Sequence, residues 1–181
     1  MTPSQTFTVH TLDSAPSASR PVLAELEQRI GFIPNLAATM AGSPVLIGGF
    51  GQLQQTLRAT TLTGAEREVV GLAVSHENDC PYSLAAPAVF AAGQGAAPDV
   101  ILAARSGRPL PDARSQALRK FAVAVLRDRG RAPVDAFLTA GYTVAQAYEV
   151  ITQVGYTSIA NWAANLCDTP IDDAFQSAAS S

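Results

Sequence analysis

Thr63-Gly64-Ala65-Glu66-Arg67-Glu68-Val69-Val70-Gly71-Leu72-Ala73-Val74-Ser75-His76-Glu77-Asn78-Asp79-Cys80-Pro81-Tyr82-Ser83 opens the stretch, running on to Phe90, around which this chain is organised. Thr63 and Glu66 stand three apart, the spacing of a capping box in which each side chain satisfies a backbone N–H that the first helical turn leaves orphaned. A helix is therefore predicted from Thr63, with Val69, Val70, Leu72 and Ala73 on its apolar face and the polar run Glu77-Asn78-Asp79 at its end. A second helix is predicted near Cys80, with Asp79 as its N-cap and Pro81 in its first turn, where a missing N–H costs little. Nearly all the chemistry falls on this helix–turn–helix. Glu68 and His76 lie two turns apart on the first helix, and Cys80 starts the second, a position where an anionic sulfur is stabilised by the helix dipole and free N–H groups.

Punctuation elsewhere is equally helical. Val22, Leu23, Leu26 and Ile30 recur at helical spacing until Gly31, and Pro34-Asn35-Leu36 starts a further helix. Ser43-Pro44 reads as an N-cap with proline at the first position, ahead of the stripe Leu46, Phe50, Leu53, Leu57. Gly48, Gly49 and Gly51 in that stripe are expected to let helices pack closely rather than to form a phosphate loop, since no strand precedes them and no lysine follows. Gly93–Ala97 is expected to be a break, Pro98 to begin a short helix ended by Gly107, and Asp112 to cap a longer one with Leu118, Phe121, Ala122, Val125 and Leu126 inward, stopped by Gly130. Pro133–Ala140 is read as a short helix closed by Gly141. Thr143 with Gln146 repeats the capping box before a long apolar helix from Val144 to about Leu166. No run alternates with period two, so the fold class is all-α.

Composition narrows the partners. At 181 residues, 48% of them hydrophobic, the chain suffices for one domain with a real core. Charged residues make up 15%, against about a quarter in a usual soluble domain, which predicts that apolar surface is covered by further copies of the chain. A net charge of −3 offers nucleic acid and anionic membranes no attraction. A basic leader with an apolar core is absent, as is any run of about 18 apolar residues, so a cytoplasmic protein without membrane contact is expected. One lysine, Lys120, among many arginines and alanines suggests a bacterial genome rich in G and C. Cys80 and Cys167 are expected as reduced thiols, with Cys167 a small buried hydrophobe. His10 and His76 are the only histidines, and no Cys, His, Asp or Glu cluster has ligand spacing, so neither a metal nor a cofactor is expected.

Glu68-x11-Cys80-x2-Ser83-x3-Pro87 resembles the Glu-x11-Cys-x2-Cys-x3-His motif of the alkylhydroperoxidase D and carboxymuconolactone decarboxylase superfamily. Ser83 stands where that family has its peroxide-attacking cysteine, and Pro87 where it has its histidine. Tyr82 fits the residue between the two cysteines. Gly31-Phe32-Ile33-Pro34-Asn35-Leu36 with Ser43-Pro44, and Ala160-Asn161-Trp162 through Asp168-Thr169-Pro170-Ile171-Asp172, are similar to the opening and closing of its peroxidase-related branch.

The resemblance implies an all-helical domain over 21–173; residues 1–20, rich in Ser, Thr, Pro and Ala with little periodicity, are expected to be an extended arm, and 174–181 a flexible tail. It implies trimers, or hexamers built from them. It also implies a peroxiredoxin-type antioxidant ancestry, a thiol peroxidase whose two-cysteine cycle Ser83 would end, because a hydroxyl cannot form a disulfide with Cys80. Residual chemistry would then rest on Cys80 and an external thiol reductant, with Glu68 as proton donor or acceptor. Two other readings stay open. A cofactor-free decarboxylase, lyase or isomerase would use Glu68 and His76 as acid and base on a small-molecule substrate, with Cys80 in the pocket; a non-catalytic binding protein would use none of them. Pocket candidates are Tyr82, Trp162 and Asn161, while Tyr142, Tyr148 and Tyr156 are read as core or pocket aromatics.

Overall fold

A computed structural model describes residues 7–86 and 97–175. In chain order its helices are α1 (Arg20–Ile30), α2 (Asn35–Met40), α3 (Pro44–Thr56), α4 (Gly64–Glu77), α5 (Pro81–Ala85), α6 (Pro98–Arg105), α7 (Ala113–Arg127), α8 (Asp135–Thr139) and α9 (Val144–Cys167), with a 3-10 turn at Leu57–Ala59. Among the described residues there is no strand, and the fold is all-α.

The termini follow from the caps. Thr63 Oγ1 accepts from the Glu66 N–H while Glu66 reaches back to the Thr63 N–H, and Thr143 and Gln146 do the same for α9. Ser43 and Asp112 cap α3 and α7 through the N–H groups of Leu46 and Ser115. Gly31, Gly107, Gly130 and Gly141 all take positive φ just beyond helix ends. At Gly107, φ +68°, a Cβ would collide with the His76 ring, so another residue there would have to displace that ring and adopt a backbone conformation that L residues rarely take.

One expected cap is corrected. Asp79 sits at φ +46°, while Cys80, in extended conformation, is the N-cap of α5. Asp79 and Cys80 donate their N–H groups back to His76 and Ser75, so Asp79 is used to end α4 and cannot also take the extended backbone that a cap requires. The helix expected from Pro133 is shorter, starting at Asp135. The break expected at Gly93–Ala97 lies outside the described residues except for Ala97, which precedes α6.

The packing has two halves joined by α9. In one, Val69, Val70, Leu72 and Val74 of α4 meet Ala103 and Ala104 of α6, Leu118, Phe121, Ala122 and Val125 of α7, and Val150 and Val154 of α9. Phe121, Phe137 and Tyr142 stack in series with ring centroids 4.5 Å apart, and the Arg114 guanidinium covers Tyr142 at 3.9 Å. In the other half, Leu23 of α1, Ala37 and Met40 of α2 and Ile47 of α3 close on Ala160 of α9. Residues 7–19 lie against this half: the His10 N–H donates to Ala38 O, and the buried Ser19 hydroxyl donates to Ala41 O. A third cluster joins Cys80, Tyr82 and Ala85 to Ala164 and Phe175. Phe175, two residues past the expected end of the domain, is buried there.

Candidate functional site

Where the two halves meet, α1, α2, α3, α4, α5 and α9 surround a cavity of about 650 Å³. Its walls are largely apolar, from Leu26, Ile47, Phe50 and Ala160, with glycines at Gly48, Gly51 and Gly71. The expectation that Gly48 and Gly49 serve close helix packing is corrected: a Cβ at either meets nothing within 4 Å. At Gly48 the missing side chain widens the cavity.

Glu68 projects into this cavity from the second turn of α4. Among the described residues no group donates a hydrogen bond to its carboxylate, so burial is uncompensated and pushes the carboxyl up to about 7, against a smaller opposing pull from Arg67. Arg67 itself is committed to the backbone, donating to Leu57 O, Leu62 O and the Thr60 hydroxyl. Ser83, nearly buried, also lines the cavity, whereas Cys80, which the motif reading places beside Glu68, does not.

Cys80 stands one layer behind. Its sulfur is fully buried and donates to Ser83 Oγ at 3.4 Å. Pro87 lies outside the described residues. Cys167 is a half-buried free thiol at the end of α9, raised by burial, and Cys80 is likewise free.

His76 is not brought to Glu68. It points across α4 to Gly107 and shares a separate groove with Arg119, Lys120 and Arg127, because eight residues of helix turn it about 80° away from Glu68. Asn161 is buried but structural, donating to Ser75 Oγ at 3.1 Å and accepting from Asn78 at 2.9 Å. Trp162 lies on the outer face of α9, 59% exposed, and does not line the cavity. Of the tyrosines, Tyr142 belongs to the core stack, Tyr148 faces outward, and Tyr156 reaches the cavity.

Tyr82 has two surroundings. Its ring touches the cavity, while its hydroxyl donates to Asp172 Oδ2 at 2.6 Å and accepts from the Leu36 N–H at 3.2 Å. Burial, reinforced by that carboxylate, raises the phenol well above its usual range. Asp172 also accepts from the Asn35 N–H at 2.9 Å, so one tyrosine ties α5, the start of α2 and the C-terminal segment together.

Sequence reasoning missed Gln54 of α3 and Gln153 and Thr157 of α9 as polar lining, and Ser75, which stands two turns on from Glu68 on the same face of α4. Gln153 donates to Thr157 at 3.3 Å along α9, and Tyr156 stacks on Phe50 at 4.4 Å with its phenol pushed up to about 12 by burial, opposed by a hydrogen bond from Gln54. A signal was present. Gln153 and Thr157 are polar positions four apart on the face where Val150, Ala160 and Ala164 are buried, which is unusual unless the face borders a polar space. Among the described residues no three His, Cys, Asp or Glu side chains converge as metal ligands would.

No family model and no curated protein matches the sequence. Solved structures do. An uncharacterized peroxidase-related protein from Ralstonia eutropha JMP134, described as an alkylhydroperoxidase AhpD core, superposes with a TM-score of 0.83 over 93% of each chain at 24% identity. A peroxidase-related protein from Silicibacter sp. TM1040 gives 0.77 over 97% of each chain at 19% identity. The debrominase Bmp8, solved as a cysteine-to-alanine variant with 2,3,4-tribromopyrrole, gives 0.79 over 96% of this chain and 95% of its own at 20% identity. At these identities it is the fold that is shared, over nearly the whole described chain, and the fold of this protein is the all-α alkylhydroperoxidase D-like fold.

Proposed function

We propose that this chain is a cofactor-free acid–base enzyme that moves a proton on a small, mainly apolar organic molecule held in the cavity between its two halves. The observation that carries this reading is Glu68, a buried carboxyl that lines the cavity and, among the described residues, receives no hydrogen bond, so that burial pushes it up to about 7. Near neutral pH such a group gives and takes a proton with comparable ease, which is what a general acid–base residue requires. Glu68 would remove a proton from carbon next to a carbonyl and return it at another position, or protonate the carbanion left when carbon dioxide departs. Gln54, Gln153 and Thr157 would orient the polar end of the molecule, and the apolar wall would keep water from the carbanion.

Thiol chemistry at Cys80 is the second reading, favoured by the contact of its sulfur with Ser83, which borders the cavity. Movement of the serine would expose the sulfur to a hydroperoxide. One peroxide oxygen would transfer to sulfur as a sulfenic acid, releasing the alcohol; a first external thiol would condense with it to a mixed disulfide, releasing water, and a second would free the Cys80 thiol and leave as the external disulfide. A two-cysteine cycle is not part of this reading, because Ser83 has no sulfur to donate.

One set of variants separates the two. β-Keto acids and unsaturated lactones in D2O, followed by NMR, should show enzyme-dependent exchange or turnover that Glu68→Gln lowers at least about 100-fold and Cys80→Ser leaves near wild type. Turnover limited to cumene hydroperoxide with dithiothreitol, lost in Cys80→Ser and kept in Glu68→Gln, would overturn the acid–base proposal in favour of the thiol.

A further inference from the structure

Two buried hydroxyls on the cavity wall have oxygens that are occupied and protons that are not. Ser75 of α4 is 1% exposed and Thr157 of α9 is 7% exposed, and both line the cavity. The Ser75 oxygen accepts from Asn161 Nδ2 at 3.1 Å, and the Thr157 oxygen accepts from Gln153 Nε2 at 3.3 Å. Other hydroxyls in and beside the helices give their protons away: Thr39, Thr56, Thr152 and Ser106 each donate to the carbonyl four residues back. Among the described residues Ser75 and Thr157 donate to nothing. Each hydroxyl has one proton to give, and a buried donor left unused costs about 1–3 kcal/mol.

The two hydroxyls flank one gap. Asn161 meets Ser75, and Thr157 Oγ1 lies 3.8 Å from where a Cβ of Gly71 would be. Both pairs have the same separation in sequence, so α4 and α9 run parallel here, with Gly71 and Ser75 one turn apart on one face of α4. Glu68 stands on that face one turn before Gly71. Because Gly71 has no side chain, the space between the Glu68 carboxyl and the Ser75 hydroxyl is open, and Thr157 borders it from α9. Positions one helical turn apart have Cβ atoms roughly 5–6 Å from each other. Two O–H groups that share one acceptor at about 2.7–2.8 Å need a spacing of that order.

We infer that Ser75 and Thr157 together hold one oxygen of the substrate, a carbonyl oxygen that becomes an enolate oxygen when Glu68 takes the neighbouring proton. This rests on the acid–base reading and adds to it the group that the cavity selects: an acceptor oxygen without a hydrogen of its own, on a ketone, keto acid or lactone. As Glu68 removes the proton, the C–H electron pair becomes a carbon–carbon π bond and the carbonyl π pair moves onto oxygen. The two O–H groups donate to the charge that collects there, and the electron pairs move back when Glu68 returns the proton. The amide N–H groups of Asn161 and Gln153, bonded to the two hydroxyl oxygens, polarise both O–H groups and strengthen them as donors.

The probe is pentafluorophenol, ionised at pH 8, whose oxyanion imitates an enolate. Titration calorimetry in a Glu68→Gln background removes the carboxylate that would repel it and makes the result independent of turnover. The phenolate should bind there, and adding Thr157→Val or Ser75→Ala should raise its Kd at least about tenfold each, while Thr157→Ser, which keeps the hydroxyl, changes it less than about threefold. Pentafluorotoluene, the same ring without the oxygen, should bind all four proteins alike. No phenolate binding, binding that Thr157→Val and Ser75→Ala leave unchanged, or an equal loss of pentafluorotoluene would overturn the inference. Phenolate held through the two hydroxyls, in a wild-type protein that exchanges no carbon-bound hydrogen, would support the oxygen site and count against the acid–base reading alone.

Discussion

Glu68, on which the acid–base proposal rests, is a burden on stability when it is ionised. Its carboxyl ionises near 4.5 in an unfolded chain and at about 7 in the folded one, so between those values the native state holds the extra proton. The stability contributed by the protonated carboxyl is complete below about 4.5 and is lost as pH rises through about 7. At about 1.4 kcal/mol per pH unit, ionising it in the cavity costs about 3 kcal/mol. Glu68→Gln, neutral and of equal size, should therefore leave stability unchanged at acid pH and raise it by up to about 3 kcal/mol at pH 8, measured by urea unfolding at both values. Equal stabilities at pH 8 would show that the carboxylate is already solvated and not poised. The spacing of Glu68 to Cys80 and Ser83 makes this residue legible in the amino-acid sequence. His76 and Trp162 are legible there as chemistry; the eight-residue spacing by itself turns His76 about 80° from Glu68, whereas which face of α9 meets the cavity, and so leaves Trp162 outside, is set by packing partners distant in sequence.

At the scale of elements, the termini are the most readable feature, because a cap is a local hydrogen-bond requirement with a local residue signature. Both capping boxes, the Ser43 and Asp112 caps and the stops at Gly31, Gly107, Gly130 and Gly141 are where their side chains place them. The turn between α4 and α5 departs from expectation for a physical reason: one residue cannot both close the first helix in left-handed conformation and cap the next in extended conformation, and Asp79 does the former. The Thr63 box bears most on the site, since it sets where α4 begins and hence the phase of Glu68. It is also tied outward, with Glu66 accepting from Arg114 at 3.1 Å. Thr63→Ala should cost about 1 kcal/mol, lowering the melting temperature by about 2–4 °C, with Thr63→Ser restoring most of the loss. A variant as stable as wild type would show that packing against α7 and α9, and not the cap, holds the start of this helix.

The molecule as a whole is two packed halves with a space between them, and that space is not legible in the sequence. Its lining comes from α1, α2, α3, α4, α5 and α9, and no local periodicity reports where helices fail to touch. Its sequence traces are ambiguous: the polar pair Gln153 and Thr157 on the inner face of α9, and the glycines inside helices, which by sequence alone are indistinguishable from packing contacts. Gly48 has open space at its Cβ position, and at Gly71 the nearest atom, Thr157 Oγ1, lies at an ordinary 3.8 Å. Both residues line the cavity, and both weaken their helices by about 1 kcal/mol relative to alanine. Neither glycine is needed for φ, since both lie in regular helix and neither has positive φ. Alanine at both should then raise stability by about 1–2 kcal/mol, because helix propensity improves and no neighbour is displaced. The same two methyl groups enter the space that the acid–base proposal assigns to the substrate, so turnover or ligand binding should fall as stability rises. Denaturant unfolding and activity measured on Gly48→Ala, Gly71→Ala and the double variant read both effects. A double variant that is less stable than wild type would mean that the two halves close further in solution than the cavity allows, and that the glycines are packing contacts after all.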